Sequence, residues 1–179
     1  EVAMITLATA SAKVPAPRMQ QMQEIAKANG VDILRSTIGT KVSPALVLAV
    51  ITVESAGRAD AVSGAGAEGL MQLMPGTAQD VAKGLGVMAQ HATDRLIADP
   101  DYNALLGSEY LSQMAGRFDG NVVMVSAAYN AGPSRPAGWM QEYGDPRKGD
   151  IDIVDWIEMI PFRETQNYVM RVTESLPVY

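Results

Sequence analysis

The sequence has no cysteine and only one histidine among its 179 residues. The first absence excludes disulfides, thiolate nucleophiles and thiolate metal sites, but it does not assign a compartment, because periplasmic and cytosolic proteins can both lack cysteine. The second excludes a His-rich zinc site and confines any Ser-His-Asp triad to His91. That residue stands in Met88-Ala89-Gln90-His91-Ala92-Thr93, without a nucleophile-elbow pattern, and reads as an ordinary surface or helix-end histidine. Excess positive charge is also missing. The net charge is -6, which does not suit a protein that holds nucleic acid by neutralising phosphates. No apolar run approaches the ~18 residues needed to span a bilayer. Any catalysis therefore falls to carboxylates.

What is present suits one compact domain, since 47% of the residues are hydrophobic and the length leaves little room for a second core. The start, Met4-Ile5-Thr6-Leu7-Ala8-Thr9-Ala10-Ser11-Ala12, has an apolar stretch with an A-x-A ending but no basic leader. Residues 1–18 are read as an N-terminal extension or the tail of a trimmed upstream segment. Helix formers with apolar residues at 19, 22, 25 and 26 predict an amphipathic helix that stops at Asn29-Gly30. Ser43-Pro44 predicts a capped helix start, and the run from Ala45 to Val53 is so uniformly apolar that the helix should be buried. Further helices are expected from Pro75 to Gly84, Pro100 to Met114 and Asn121 to Ala131, the last closed by Gly132-Pro133. Pro136 to Asp150 reads as a loop with a short helix about Trp139, and Asp152 to Met159 and Pro161 to Glu174 complete an all-α list. No repeat or alternating-strand segment competes.

Gly64-Ala65-Gly66-Ala67-Glu68-Gly69 satisfies G-x-G-x-x-G literally. A dinucleotide fingerprint needs a strand before it and a crossover helix after it, and neither is expected here. Glu54 is more informative, because it ends the apolar helix. A carboxylate at a helix C-terminus is electrostatically unfavourable, and apolar surroundings raise its pKa as well, so the position suits a proton that can be given away. Gln72, flanked by Met71, Leu73 and Met74, reads either as a core-edge amide or as a donor and acceptor in a groove lined by flexible thioethers. Tyr129 and Asn130 close an Ala-rich helix, where a plain capped terminus explains Gly132 better than it explains Tyr129.

Taken in order, these segments resemble the catalytic domain of soluble lytic transglycosylases, the SLT branch of the lysozyme-like superfamily. The resemblance rests on Glu54-Ser55, on Ala61 to Ala67 with Gly69-Leu70-Met71-Gln72-Leu73-Met74-Pro75-Gly76-Thr77-Ala78, and on Pro100, Asn103, Gly107 and Tyr110-Leu111. Ala128 to Pro133 and Ile160 to Val169 supply the last two blocks, and coverage runs from about Met19 to about Val172. Asp99, Ala104 and Gln166 depart from the usual Asn, Ile and Arg. The resemblance implies a lysozyme-like, two-lobed helical domain over residues 19–179, with a central buried helix and a sugar-binding groove. It also implies cleavage of the β-1,4 bond between N-acetylmuramic acid and N-acetylglucosamine, leaving 1,6-anhydro ends on peptidoglycan glycan strands in a bacterial envelope, periplasmic or secreted. No cofactor or metal is implied. Glu54 would act as both acid and base, with Ser63 and Gln72 holding the sugar and Met74 lining its pocket. Tyr129 and Glu164 would steady the substrate acetamide and Glu54, and Asn130 would support the groove.

Two other readings compete. A goose-type hydrolase needs a second carboxylate to activate water, for which Asp60, Glu68 or Asp80 are candidates. A non-catalytic wall-binding or secretion-assembly module would keep the fold without turnover.

Overall fold

The computed structural model describes residues 17–88 and 92–176. The expectations placed on residues 1–16 and on His91 lie outside them. Among the described residues the chain is all-α: α1 Pro17–Thr37, α2 Pro44–Ser55, α3 Pro75–Gly84, α4 Ala92–Ala98, α5 Pro100–Arg117, α6 Val122–Ala131, α7 Ser134–Tyr143, a 3₁₀ turn Pro146–Lys148, α8 Ile153–Glu158 and α9 Arg163–Ser175. None of these helices is long and apolar enough to cross a membrane.

Local chemistry sets most helix starts. Ser43 caps α2 by accepting a hydrogen bond from the Leu46 N–H at 3.2 Å, with Pro44 in the first turn. Asp99, Asn121 and Asp152 cap α5, α6 and α8 in the same way, accepting from Tyr102, Met124 and Val154. The ends are less legible. α1 runs through Asn29-Gly30 instead of stopping there, because Ile25 and Ile33 on either side are buried against neighbouring helices and the Asn29 amide donates to the Ile25 carbonyl at 3.3 Å. Packing here outweighs the propensity penalty of one glycine, about 1 kcal/mol. α7 is longer than the short helix expected about Trp139, since Pro136 falls in its first turn, where a missing N–H costs nothing.

The helices form two groups. α1, α3 and α4 pack on α5, with α2 against α1; α7 packs on α6, α8 and α6 on α9. α2 against α9 and α5 against α6 join the groups. As its composition requires, α2 is the buried element, with Val47, Ala49, Val50 and Ile51 fully inaccessible.

Between α2 and α3 the chain forms no strand, only two isolated antiparallel bridges, Val62 with Glu68 and Glu68 with Leu73. The G-x-G-x-x-G run lies in this loop, with a helix before it and another after it, which is no setting for a dinucleotide. Leu70 and Met71 are fully buried, so the loop's peptide groups need partners that the missing sheet cannot provide. Side chains from the helices supply them. Asn103 of α5, itself fully buried, accepts from the Met71 N–H at 2.9 Å and donates to the Glu68 carbonyl at 2.9 Å. Ser55, at the end of α2, donates to the Leu70 carbonyl at 2.8 Å. Gly69, at φ 78°, leaves the space that Asn103 occupies; a Cβ there would overlap its amide.

Asn103→Ala strands the buried Met71 N–H and leaves a cavity beside Gly69, while the Glu68 carbonyl keeps its bond from the Leu73 N–H at 3.0 Å. The expected loss is about 2–4 kcal/mol of unfolding free energy, read by urea denaturation. A loss below ~1 kcal/mol would mean that the loop is held by other means.

Candidate active site

Glu54 lies one residue before the end of α2, where the chain turns through Ala56 in the left-handed region (φ 54°). Burial is the largest influence on its carboxyl and raises its pKa from 4.5 to about 7. A hydrogen-bonding interaction with Tyr168 and the charge of Arg171 pull it down in part, while the charge of Glu164 pushes it up. These three residues come from α9 at positions i, i+4 and i+7, so one stripe of that helix addresses Glu54. The Tyr168 hydroxyl is buried without a close hydrogen-bond partner; it approaches the carboxyl but falls short of good geometry. Its own pKa rises well above the usual value through burial and then through the Glu54 charge.

A pocket of about 200 Å³ opens where the two helix groups meet. It is lined by Gln72, Leu73, Met74, Thr77, Tyr110, Tyr129, Asn130 and Gly132, so four of the expected substrate-binding residues come together there. Met74 is 45% exposed. The others are more engaged than their residue types suggest. Gln72 adopts φ 49°, and its amide nitrogen donates to the Ala61 and Gly69 carbonyls at 3.0 and 2.9 Å. Both N–H donors are used within the loop, leaving its carbonyl oxygen for a ligand. The Tyr129 hydroxyl donates to the Met71 carbonyl at 2.8 Å, and its ring packs against Tyr110 with centroids 5.3 Å apart. Asn130 accepts from the Thr165 hydroxyl at 2.8 Å, tying α6 to α9.

Glu54, Ser63 and Glu164 do not line this pocket. Ser63 is half-buried and accepts from the Ala67 N–H at 2.9 Å, which leaves its hydroxyl hydrogen free. Glu164 is exposed in the first turn of α9 and reaches Glu54 through its charge. Tyr168, Arg171, Thr77 and Tyr110 join the site without standing out as site residues in the sequence. For the first two, helical spacing from Glu164 is the available signal. No group of three or more His, Cys, Asp or Glu side chains among the described residues could hold a metal.

The model for the transglycosylase SLT domain matches residues 34–151. The chain belongs to the transglycosylase SLT family. The soluble lytic murein transglycosylase of Escherichia coli is 38% identical over 138 residues, 77% of this chain and 21% of that protein. This SLT chain thus spans about a fifth of that relative's length. The crystal structure of the 70 kDa soluble lytic transglycosylase from Escherichia coli superposes with a TM-score of 0.75 at 36% identity, covering 82% of this chain and 23% of that one. A lytic transglycosylase Slt from Pseudomonas aeruginosa, solved as an inactive mutant with glutamine in place of a glutamate, gives a TM-score of 0.72 at 39% identity, covering 83% and 23%. The SLT domain here accordingly has the lysozyme-like helical fold.

Glu54 also sets a stability signature. Its folded pKa is raised, so between 4.5 and about 7 the native state binds the proton that the unfolded state has released, and stability falls as pH rises through that window. Glu54→Gln removes the penalty. The variant should be more stable than the parent by on the order of 3 kcal/mol above neutrality, with the gap closing near pH 4 in urea melts.

Proposed function

We propose that this domain is a peptidoglycan lytic transglycosylase. It cleaves the β-1,4 bond between N-acetylmuramic acid and N-acetylglucosamine, and Glu54 alone serves as acid and base. One observation carries the reading: in an SLT-family chain, burial keeps the Glu54 carboxyl protonated to about pH 7 at the junction of the two helix groups. Protonated Glu54 donates to the glycosidic oxygen as the bond to the anomeric carbon breaks, and N-acetylglucosamine leaves with that proton. The substrate's own acetamide stabilises the cationic centre. The muramyl 6-hydroxyl then attacks the anomeric carbon and gives its proton to the Glu54 carboxylate, which closes the 1,6-anhydro ring and restores the acid. No water enters the product.

The free Ser63 hydroxyl hydrogen and the Gln72 carbonyl oxygen hold the sugar, and Met74 lines its pocket. Asn130 supports the groove from α6. Tyr129 works chiefly through the loop, by holding the Met71 carbonyl, and Glu164 helps to keep Glu54 protonated. Relatives named for murein support a place in the bacterial envelope, periplasmic or secreted, with glycan strands as the partner, and the net charge of -6 argues against nucleic acid.

A hydrolase is the second reading, because Glu164 is a carboxylate whose charge reaches Glu54. Asp60, Glu68 and Asp80 are not among the groups acting on Glu54. Mass spectrometry of digested peptidoglycan separates the two chemistries. The transglycosylase gives anhydro-ended fragments; fragments heavier by one water would mean hydrolysis. Glu54→Gln should reduce turnover by a factor on the order of 10³ or more while leaving strand binding in place. In the parent, kcat/KM should fall as pH rises through about 7, because the alkaline limb reports loss of the Glu54 proton.

A further inference from the structure

The inner face of α1 is buried through Ile25, Asn29, Ile33 and Ser36, as packing on α5 requires. Its outer face does not turn polar in the usual way. Val31, Leu34 and, in the turn that ends the helix, Ile38 are 61, 59 and 79% exposed at spacings i, i+3 and i+7. Large aliphatic side chains in one surface row mark an interaction site, which the same residues scattered singly would not. None of the three lines the pocket between the two helix groups.

A second pocket, of about 230 Å³, adjoins this row. Arg35, the residue after Leu34, lines it from α1, Arg95 from α4, and Asp99, Asp101, Tyr102 and Leu105 from the start of α5. Arg95 is fixed there. Its guanidinium carbon lies 4.0 Å from the centroid of the Tyr102 ring, and its Nε is 3.6 Å from an Asp99 oxygen. Tyr102 is buried, and its hydroxyl donates to the Val87 carbonyl at 3.1 Å, so the platform under Arg95 is held as well. Asp99 is further engaged as the cap of α5. Arg35 and Asp101 differ. Both are exposed, and neither forms an ion pair among the described residues.

Two guanidinium groups and two carboxylates cancel, so a simple anion gains little from this pocket. A ligand that carries both signs pairs with both, since a guanidinium fork matches phosphate oxygens and a free carboxylate takes an ammonium. The apolar row beside the pocket suits hydrocarbon attached to such a ligand. A phospholipid with a phosphoethanolamine headgroup combines the three features. Its zwitterionic surface also lacks the repulsion that a chain of net charge -6 meets at an anionic one.

We infer that this face docks on a lipid surface, with the headgroup phosphate on Arg35 and Arg95, the ammonium on Asp101, and Val31, Leu34 and Ile38 in the acyl boundary. The helix lies on the surface and does not cross it, since no described helix is long and apolar enough to span. The inference is independent of the chemistry at Glu54.

The test is flotation of the intact chain with vesicles of phosphatidylcholine alone and with vesicles of phosphatidylcholine and phosphatidylethanolamine in equal parts. The parent should partition about fivefold more strongly onto the ethanolamine vesicles, because the methylated choline ammonium has no N–H to donate to Asp101. Arg35→Gln should lower that partition about fivefold, and Asp101→Asn should remove the preference for ethanolamine. Leu34→Ser combined with Ile38→Ser should lower partition about tenfold on both compositions. All four positions are exposed, so the variants should keep the parent's urea midpoint. Free phosphoethanolamine, followed by ³¹P NMR, separates a headgroup site from a lipid surface, and it should bind far more weakly than the vesicles. Free headgroup bound as tightly as vesicles would overturn the inference. Absence of flotation by the parent, equal partition onto the two compositions, or partition unchanged by the Leu34→Ser and Ile38→Ser pair would each overturn it too. A parent that does not float but sediments as a dimer, which that pair of substitutions breaks, would assign the face to a second copy of the chain.

Discussion

The site depends on how one strandless loop satisfies its buried peptide groups. Leu70 and Met71 are fully inaccessible, yet the loop has only two isolated bridges. Three helices lend side chains to it: Ser55 from α2, Asn103 from α5 and Tyr129 from α6. Each removes a backbone donor or acceptor from the unsatisfied state, which would otherwise cost a few kcal/mol per group. The same bonds fix position. Residues 70–74 end up against the two helix groups they must bridge, and Met74 and the Gln72 carbonyl oxygen are held where the pocket opens. Gly107 matters here too, since a Cβ on it would come within 2.8 Å of the Met71 Cβ.

Burial then does two things to Glu54. It raises the pKa to about 7, and it makes the ionised form a burden on the folded state. The α9 stripe tempers both effects, with Arg171 and Tyr168 favouring the carboxylate and Glu164 opposing it. A group that must first donate and later accept a proton benefits from such balance, because neither protonation state lies far out of reach near neutrality. The orphaned Tyr168 hydroxyl belongs to the same balance: a better hydrogen bond to Glu54 would lower the pKa and leave less of the carboxyl protonated near neutrality.

Local rules make the helix starts and the burial of α2 legible in the sequence. Ser43-Pro44, Asn121 and Asp152 act within one turn of themselves, and an all-apolar helix has only one place to go. The ordered blocks also point to Glu54 and to the pocket residues Gln72, Met74, Tyr129 and Asn130. Features decided by packing at a distance are not legible in this way. Gly30 stays helical because Ile25 and Ile33 are buried, and the seven residues of α4 carry too little periodicity to declare a helix. By residue type Gln72 and Tyr129 suit sugar ligands, yet their donors are spent on the loop's own carbonyls. A polar side chain in sequence does not disclose whether its partner is substrate or backbone. Tyr168 and Arg171 acquire meaning only once the axis of α9 turns their shared face with Glu164 towards Glu54.

By half-burying Glu54 beside α9, the fold keeps one carboxyl protonated near neutral pH, and the proposed chemistry rests on that. The most direct measurement is a titration of the Glu54 side-chain carboxyl carbon by ¹³C NMR in the intact chain, assigned by the signal lost in Glu54→Gln. The expected midpoint is about 7. A midpoint near the unperturbed 4.5 would contradict the account.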